Sequence, residues 1–173
     1  MDSVHKEKAE KAAIRICAKE FGKKNQRRGC EKQRFLSAVT DKGVFFMNRT
    51  PSLLCKKIYA VEDEAGAVSR IFMNAVKKSA LEHGLDIITC KCPIFPNEKT
   101  EHVFVPSLKL GFVTINKRHN LEIVPERIIH ASRFYDPKKY SHRKTKIRFS
   151  LRSAAKLIEE AVACMKEIGR AHV

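Results

Sequence analysis

No stretch of this 173-residue sequence approaches the ~18 consecutive apolar residues of a membrane-spanning helix. The opening Met1-Asp2-Ser3-Val4-His5-Lys6 has no apolar core of the kind a secretory signal requires. Both absences lead to the expectation of a soluble, cytoplasmic protein with no membrane span. A disulfide framework is missing as well. The six cysteines (17, 30, 55, 90, 92 and 164) are scattered through a long chain, so reduced thiols are expected. No internal repeat is visible, and no RNA- or DNA-binding motif. Acidic residues are in short supply, 19 against 35 Lys and Arg, giving a net charge of +16. That balance points to polyanions: nucleic acid, an anionic membrane surface or an acidic partner. Length and a hydrophobic content of 43% fit one domain with an ordinary core.

What is present centres on residues 57–116. Lys57-Ile58-Tyr59-Ala60-Val61 reads as a short strand. A polar turn, Glu62-Asp63-Glu64-Ala65-Gly66-Ala67, follows. Val68, Ile71, Phe72, Ala75, Val76 and Ala80 recur at helical spacing up to His83. Gly84 suits the left-handed end of that helix. Leu85-Asp86-Ile87-Ile88-Thr89-Cys90 is a second, buried strand. Two strands joined through a helix form a βαβ unit, which implies parallel pairing. Leu110-Gly111-Phe112-Val113-Thr114 can join as a third parallel strand.

The loop after the first strand is where a nucleotide-binding α/β fold would hold phosphate. The usual pattern is G-x-x-x-x-G-K-(S/T), whose glycines let backbone N–H groups close on phosphate while the Lys neutralises charge. Here the loop is Asp63-Glu64-Ala65-Gly66-Ala67-Val68-Ser69-Arg70, with one Gly, no Lys and three acids beside it. The architecture fits; the chemistry argues against phosphate.

Elsewhere, residues 4–21 predict an amphipathic helix with Ala9, Ala13, Ile14, Ile16, Cys17 and Phe21 on its apolar side, closed by Gly22. The cationic Lys23-Lys24-Asn25-Gln26-Arg27-Arg28 is either a solvated linker or a polyanion-binding arm. Arg34 to Thr40 reads as one strand, which turns at Asp41-Lys42-Gly43 into a second at Val44-Phe45-Phe46. Thr50-Pro51 opens a short helix. Residues 93–108 read as a proline-bearing loop with a brief apolar piece, Val103-Phe104-Val105. Ile128-Ile129 predicts a short edge strand. Residues 137–148 are the densest basic stretch, read as a surface loop. Ser150 is expected to cap a last helix whose stripe, Leu151 to Ile168, packs in the core. The division expected is a helix and basic linker at 1–33, then an α/β domain at 34–173.

The order of these pieces from Arg34 to His172 resembles one half, of the C-terminal type, of uncharacterised bacterial ATPase-like proteins built from two homologous P-loop NTPase halves. The resemblance is carried by Arg34 to Thr40 with Gly43, by Tyr59-Ala60-Val61, and by Gly84-Leu85-Asp86-Ile87. Most specific are Cys90-Lys91-Cys92-Pro93-Ile94-Phe95-Pro96 and Glu101-His102-Val103-Phe104-Val105-Pro106-Ser107-Leu108, followed by Arg133-Phe134-Tyr135-Asp136. It implies a P-loop-NTPase-like three-layer fold, with a mostly parallel sheet, an edge hairpin and flanking helices. It also implies ATP or GTP with Mg²⁺ as the ligand class, and a homologous half or a second copy as partner. Two motif positions depart from it: the phosphate-loop Lys would align near Ser69, and a Walker B Asp is replaced by Thr114. The resemblance leads to the expectation of either a shortened relative or one half of a longer protein.

Strand direction brings 62–69, 90–93 and 114–119 to one edge, where open parallel sheets bind ligands. Gly66, Ser69, Arg70, Thr114, Lys117 and Arg118 are the candidate nucleotide contacts. Cys90 and Cys92 could hold Zn²⁺ with His102 or His119, although Cys-x-Cys is one residue short of the common spacing. Nothing singles out a catalytic nucleophile. Residues 23–28 and 137–148 are candidate nucleic-acid contacts, through cations on phosphates and through Tyr140 and His142 on bases. Three functions follow: a degenerate P-loop-NTPase-like binding or regulatory module with weak or absent nucleotide binding and no efficient hydrolysis, a basic nucleic-acid-binding protein, and an active nucleotide-dependent enzyme with a nonstandard phosphate loop.

Overall fold

The computed structural model describes residues 3–117, 122 and 124–171. Helix α1 (Lys6–Glu20) leads into strand β1 (Glu31–Phe35), a hairpin of β2 (Ser37–Thr40) and β3 (Gly43–Phe46), and a short α2 (Arg49–Leu54). Strand β4 (Lys57–Glu62), helix α3 (Ala67–Glu82) and strand β5 (Ile87–Lys91) form the βαβ unit. Then come β6 (Thr100–Val105), β7 (Leu110–Ile115), β8 (Arg127–His130) and a long α4 (Pro137–Ala171). Among the described residues the main sheet has six strands in the order β1-β5-β6-β7-β4-β8. It is mostly parallel: β6 runs against the other five. The fold is therefore α/β, with helices flanking the sheet.

Alternation along the strands builds two cores. Tyr59, Val61, Val103, Val105, Leu110 and Phe112 face one side, under α1 and α3, with Phe72, Met73 and Val76 of α3 above them. Ile58, Phe104 and Val113 face the other side with Leu36 and Cys55, where Phe46 of the hairpin and Leu54 of α2 lie against them. Helix α1 is part of the first core: Ala9, Ala13 and Cys17 are buried there, while Ile14, expected on the same face, is 51% exposed.

Several expectations change. The strand expected over 34–40 is two strands. Residues 31–35 pair with β5 in the main sheet, the chain bends at Leu36 to bury that side chain, and 37–40 pairs with β3. The hairpin is thus a separate two-stranded sheet rather than the edge of the main one. Residues 100–105, expected within a loop, form a strand buried at every position and lying inside the sheet. Short helix α2 starts at Arg49 rather than at Pro51. The edge strand expected at Ile128-Ile129 is β8, parallel to β4.

The largest change is α4. It begins at Pro137, so the basic stretch is helical and Ser150 lies inside the helix. Asp136 precedes Pro137 and accepts the Lys139 N–H at 3.0 Å. An Asp cap before a first-turn Pro is a strong helix start. The stripe expected in the core is largely uncovered: Leu157 is 71% and Ile168 60% exposed. The 23–28 segment is docked on the main domain. Arg27 donates both Nη groups to Asp86 at 2.9 and 2.8 Å, and Gly29 N–H bonds to Leu81 O at 3.0 Å.

Candidate functional site at the carboxyl edge of the sheet

The loop between β4 and α3 carries the candidate site. Gly66, with φ +73°, starts the helix from the left-handed region, which L side chains adopt at a cost. Asp63, only 3% exposed, folds back so that its Oδ2 accepts the Ser69 N–H at 2.8 Å. That N–H belongs to the first turn of α3, where backbone donors and the helix dipole favour an anion. The anion there is the chain's own carboxylate. Glu64 Oε1 accepts the Lys117 N–H at 3.0 Å, and the Asp63 N–H bonds to Ile115 O at 3.1 Å. The loop is therefore tied to the end of β7.

The lysine missing from the loop has a neighbour from another strand. Lys99 lies just before β6, which enters the sheet from this edge because it runs antiparallel. A Cβ added at Gly66 would lie 2.9 Å from Lys99 Nζ. Lys99 Nζ also donates to Glu101 Oε1 at 3.1 Å, and Glu101 is 4% exposed with Oε2 lacking a hydrogen-bond partner. Thr114 Oγ1 donates to the Glu101 carbonyl at 2.7 Å. Among the described residues, Tyr135 Oη is a second buried polar atom without a hydrogen-bond partner. Its phenol is pushed well above its ordinary pKa, by burial first and by the charge of Asp63 next.

Lys99, Glu101 and Tyr135 line a groove of about 1080 Å³ between the carboxyl edge and the apolar stripe of α4. Ile94 and Phe95 stand on the edge side; Leu151 and Ile158 stand on the helix side. Native interiors rarely leave polar atoms unpaired, so two at one groove mark a place built for polar contact.

The expected residues meet only in part. Gly66, Ser69, Thr114 and Lys117 come to one edge. Ser69 and Thr114 are buried, and Thr114's hydroxyl is already bonded to the backbone. Arg70 reaches towards Glu98, with Nη2 3.5 Å from its Oε2. Arg118 and His119 lie outside the described residues. Sequence reading missed Lys99, Glu101 and Tyr135, and the role of Asp63. The Lys99-x-Glu101 alternation was the available signal, since residues two apart share a face once 100–105 is a strand.

The cysteine–histidine set separates. Cys90 stands opposite His102 in the β5–β6 register and packs into the second core, while Cys92 lines the groove. Burial pushes the Cys90 thiol up to about 12 and raises that of Cys92, with the Glu101 charge adding to both. His102 is fully buried and its Nδ1 accepts the Thr114 N–H at 3.2 Å. Among the described residues no three His, Cys, Asp or Glu side chains gather as a metal site, and no helix is long and apolar enough to cross a membrane. Comparison of the chain with known families, curated proteins and solved structures finds no match.

Proposed function

We propose that this chain is a P-loop-NTPase-like three-layer domain that lacks efficient hydrolysis and works as a binding or regulatory module. The carrying observation is the Asp63–Ser69 bond: a buried carboxylate sits where a nucleotide phosphate would meet the helix. Asp63 and Glu64 both belong to the β4–α3 loop, and Lys99, which lies beside Gly66, is already engaged by Glu101. These residues do not fit a nucleotide triphosphate with Mg²⁺. Phosphoryl transfer needs charge stabilisation at the transferring group, and this loop supplies the opposite sign. The sheet order supports the reading, since β4 leads into the loop beside β7, the strand where a Walker B acid would stand. In this reading the groove takes a ligand with hydrogen-bond donors for Glu101 and an apolar body for α4. A homologous half or a second copy is the partner that the family likeness implies.

The test is equilibrium binding of Mg-ATP and Mg-GTP to the whole chain at low and physiological salt, for the natural sequence and for Asp63→Ala. The natural sequence is expected to show no saturable binding at physiological salt, and Asp63→Ala to gain affinity. Saturable binding by the natural sequence, with Mg²⁺-dependent turnover, would overturn the reading in favour of a working enzyme.

A further inference from the structure

A second concavity lies away from the carboxyl-edge groove and carries a different charge. It measures about 980 Å³, between the outer side of α1 and the β8 region that follows it. Lys8, Lys11 and Arg15 stand on α1 at intervals of three and four, so they share one helix face. Arg127 on β8 and Arg133 just after it line the opposite wall. Against these cations the lining has, among the described residues, one acid, Glu7, which lies 3.7 Å from Lys11. Among the described residues, Arg15, Arg127 and Arg133 form no ion pair. Lys8 Nζ donates to the Arg133 carbonyl at 3.1 Å, which joins the two walls. The floor is apolar and closed: Ile129 and Phe134 are each 5% exposed.

We propose that this basic groove binds the phosphodiester backbone of a single-stranded nucleic acid. Cations from separate elements facing each other across a cleft suit a thin, flexible chain of phosphates. A flat bilayer would reach only the rim, and the apolar residues it would want are buried at the floor. Among the described residues the lining has one exposed ring, the His5 imidazole, and no exposed Phe, Tyr or Trp, so base stacking is confined to that one position and recognition is mainly through charge, with little sequence preference. The inference is independent of the module reading above, because it uses none of the carboxyl-edge residues.

The experiment is fluorescence anisotropy of the whole chain with labelled oligo-dT, oligo-dA and oligo-U across a salt series. A duplex of equal length and vesicles containing anionic lipid are run alongside. Variants are Arg15→Gln/Arg127→Gln/Arg133→Gln and, as a counterpart on α4, Lys138→Gln/Lys139→Gln/Lys144→Gln. All six positions are exposed, so folding is expected to survive, and circular dichroism verifies it. Removing three phosphate contacts lowers the slope of log affinity against log salt by about 2 and costs tenfold or more in affinity. The α4 variant is expected to move both quantities less, and the three oligonucleotides to bind alike. The proposal fails if the groove variant binds as the natural sequence does or if the α4 variant carries the larger loss. It also fails if duplex or vesicles bind better than single strands, or if no oligonucleotide binds.

Discussion

The Asp63 carboxylate and the Ser69 backbone N–H, 2.8 Å apart, close the first turn of α3 from inside the chain. The bond serves packing and function at once: it satisfies a donor that would otherwise be buried without a partner, and it fills an anion position. A charge-assisted bond of this kind stabilises by about 1.5–3 kcal/mol. Asp63→Ala is therefore expected to lower the free energy of unfolding, measured in urea, by that order, and Asp63→Asn, which keeps an acceptor oxygen, by less. Unchanged stability in both would mean that the bond does not hold the turn.

Lys99 and Glu101 form a pair of unequal burial, with side chains 21% and 5% exposed. Removing the lysine leaves a carboxylate buried without its counter-charge. Lys99→Met is expected to cost about 2–4 kcal/mol, towards the lower end of buried-pair disruptions because the lysine still reaches solvent. Glu101→Gln should cost less, and Lys99→Met/Glu101→Leu should recover part of the loss. A double-mutant cycle by denaturant unfolding measures the coupling.

The Arg27–Asp86 pair fixes the segment after α1 to the connection between α3 and β5. The guanidinium hydrogen bonds, followed by the Cys30 N–H, hold the Asp86 carboxyl at about 2, below its ordinary 3.8. A depressed carboxylate contributes stability that is fully present above the unfolded value and is lost as pH falls towards 2. In NMR titration, Arg27→Gln is expected to raise the Asp86 midpoint towards the ordinary value and to weaken the acid-side dependence of unfolding. An unmoved midpoint would show that the pair is not formed in solution.

Thiol reactivity should divide the six cysteines. Cys30 and Cys164 are exposed, whereas Cys17, Cys55, Cys90 and Cys92 are buried. Burial pushes Cys17, Cys55 and Cys90 up to about 12. An aromatic disulfide reagent at mildly alkaline pH is expected to label two thiols quickly and the other four only on unfolding. Fast labelling of Cys92 would mean that the groove opens readily to solvent.

The parts of the fold visible in the sequence are those where a single period dominates. Tyr59 to Val61, the 68–80 helical stripe and Leu110 to Thr114 are buried on consistent faces, so the pattern alone carries the βαβ core and β7. Strand β1 escaped because Glu31-Lys32-Gln33-Arg34 is polar. It sits at a sheet edge, where charged side chains are tolerated and keep other strands away. Strand β6 escaped because burial on both faces erases alternation, and Pro96 and Pro106 near its ends read as loop. The α4 stripe was legible as a stripe, but periodicity tells that a face is apolar, not what covers it. The site followed the same division. Gly66 and the acidic loop are local and were readable; Lys99 and Glu101 reach them only through the reversed direction of β6.

That reversal has a consequence for how the site can vary. Parallel strands deliver their last residues to the carboxyl edge and then release the chain into loops, where substitutions are cheap. Strand β6 delivers its first residues there: Thr100 pairs with Lys91, His102 with Cys90 and Val113, and Glu101 falls in the register shift between them. The chemistry at Glu101 thus sits at a bulge whose neighbours, Thr100 and His102, are held in the sheet. A change of ligand at this point must also be a change the sheet can survive, which makes the acid at 101 the slowest part of the groove to alter.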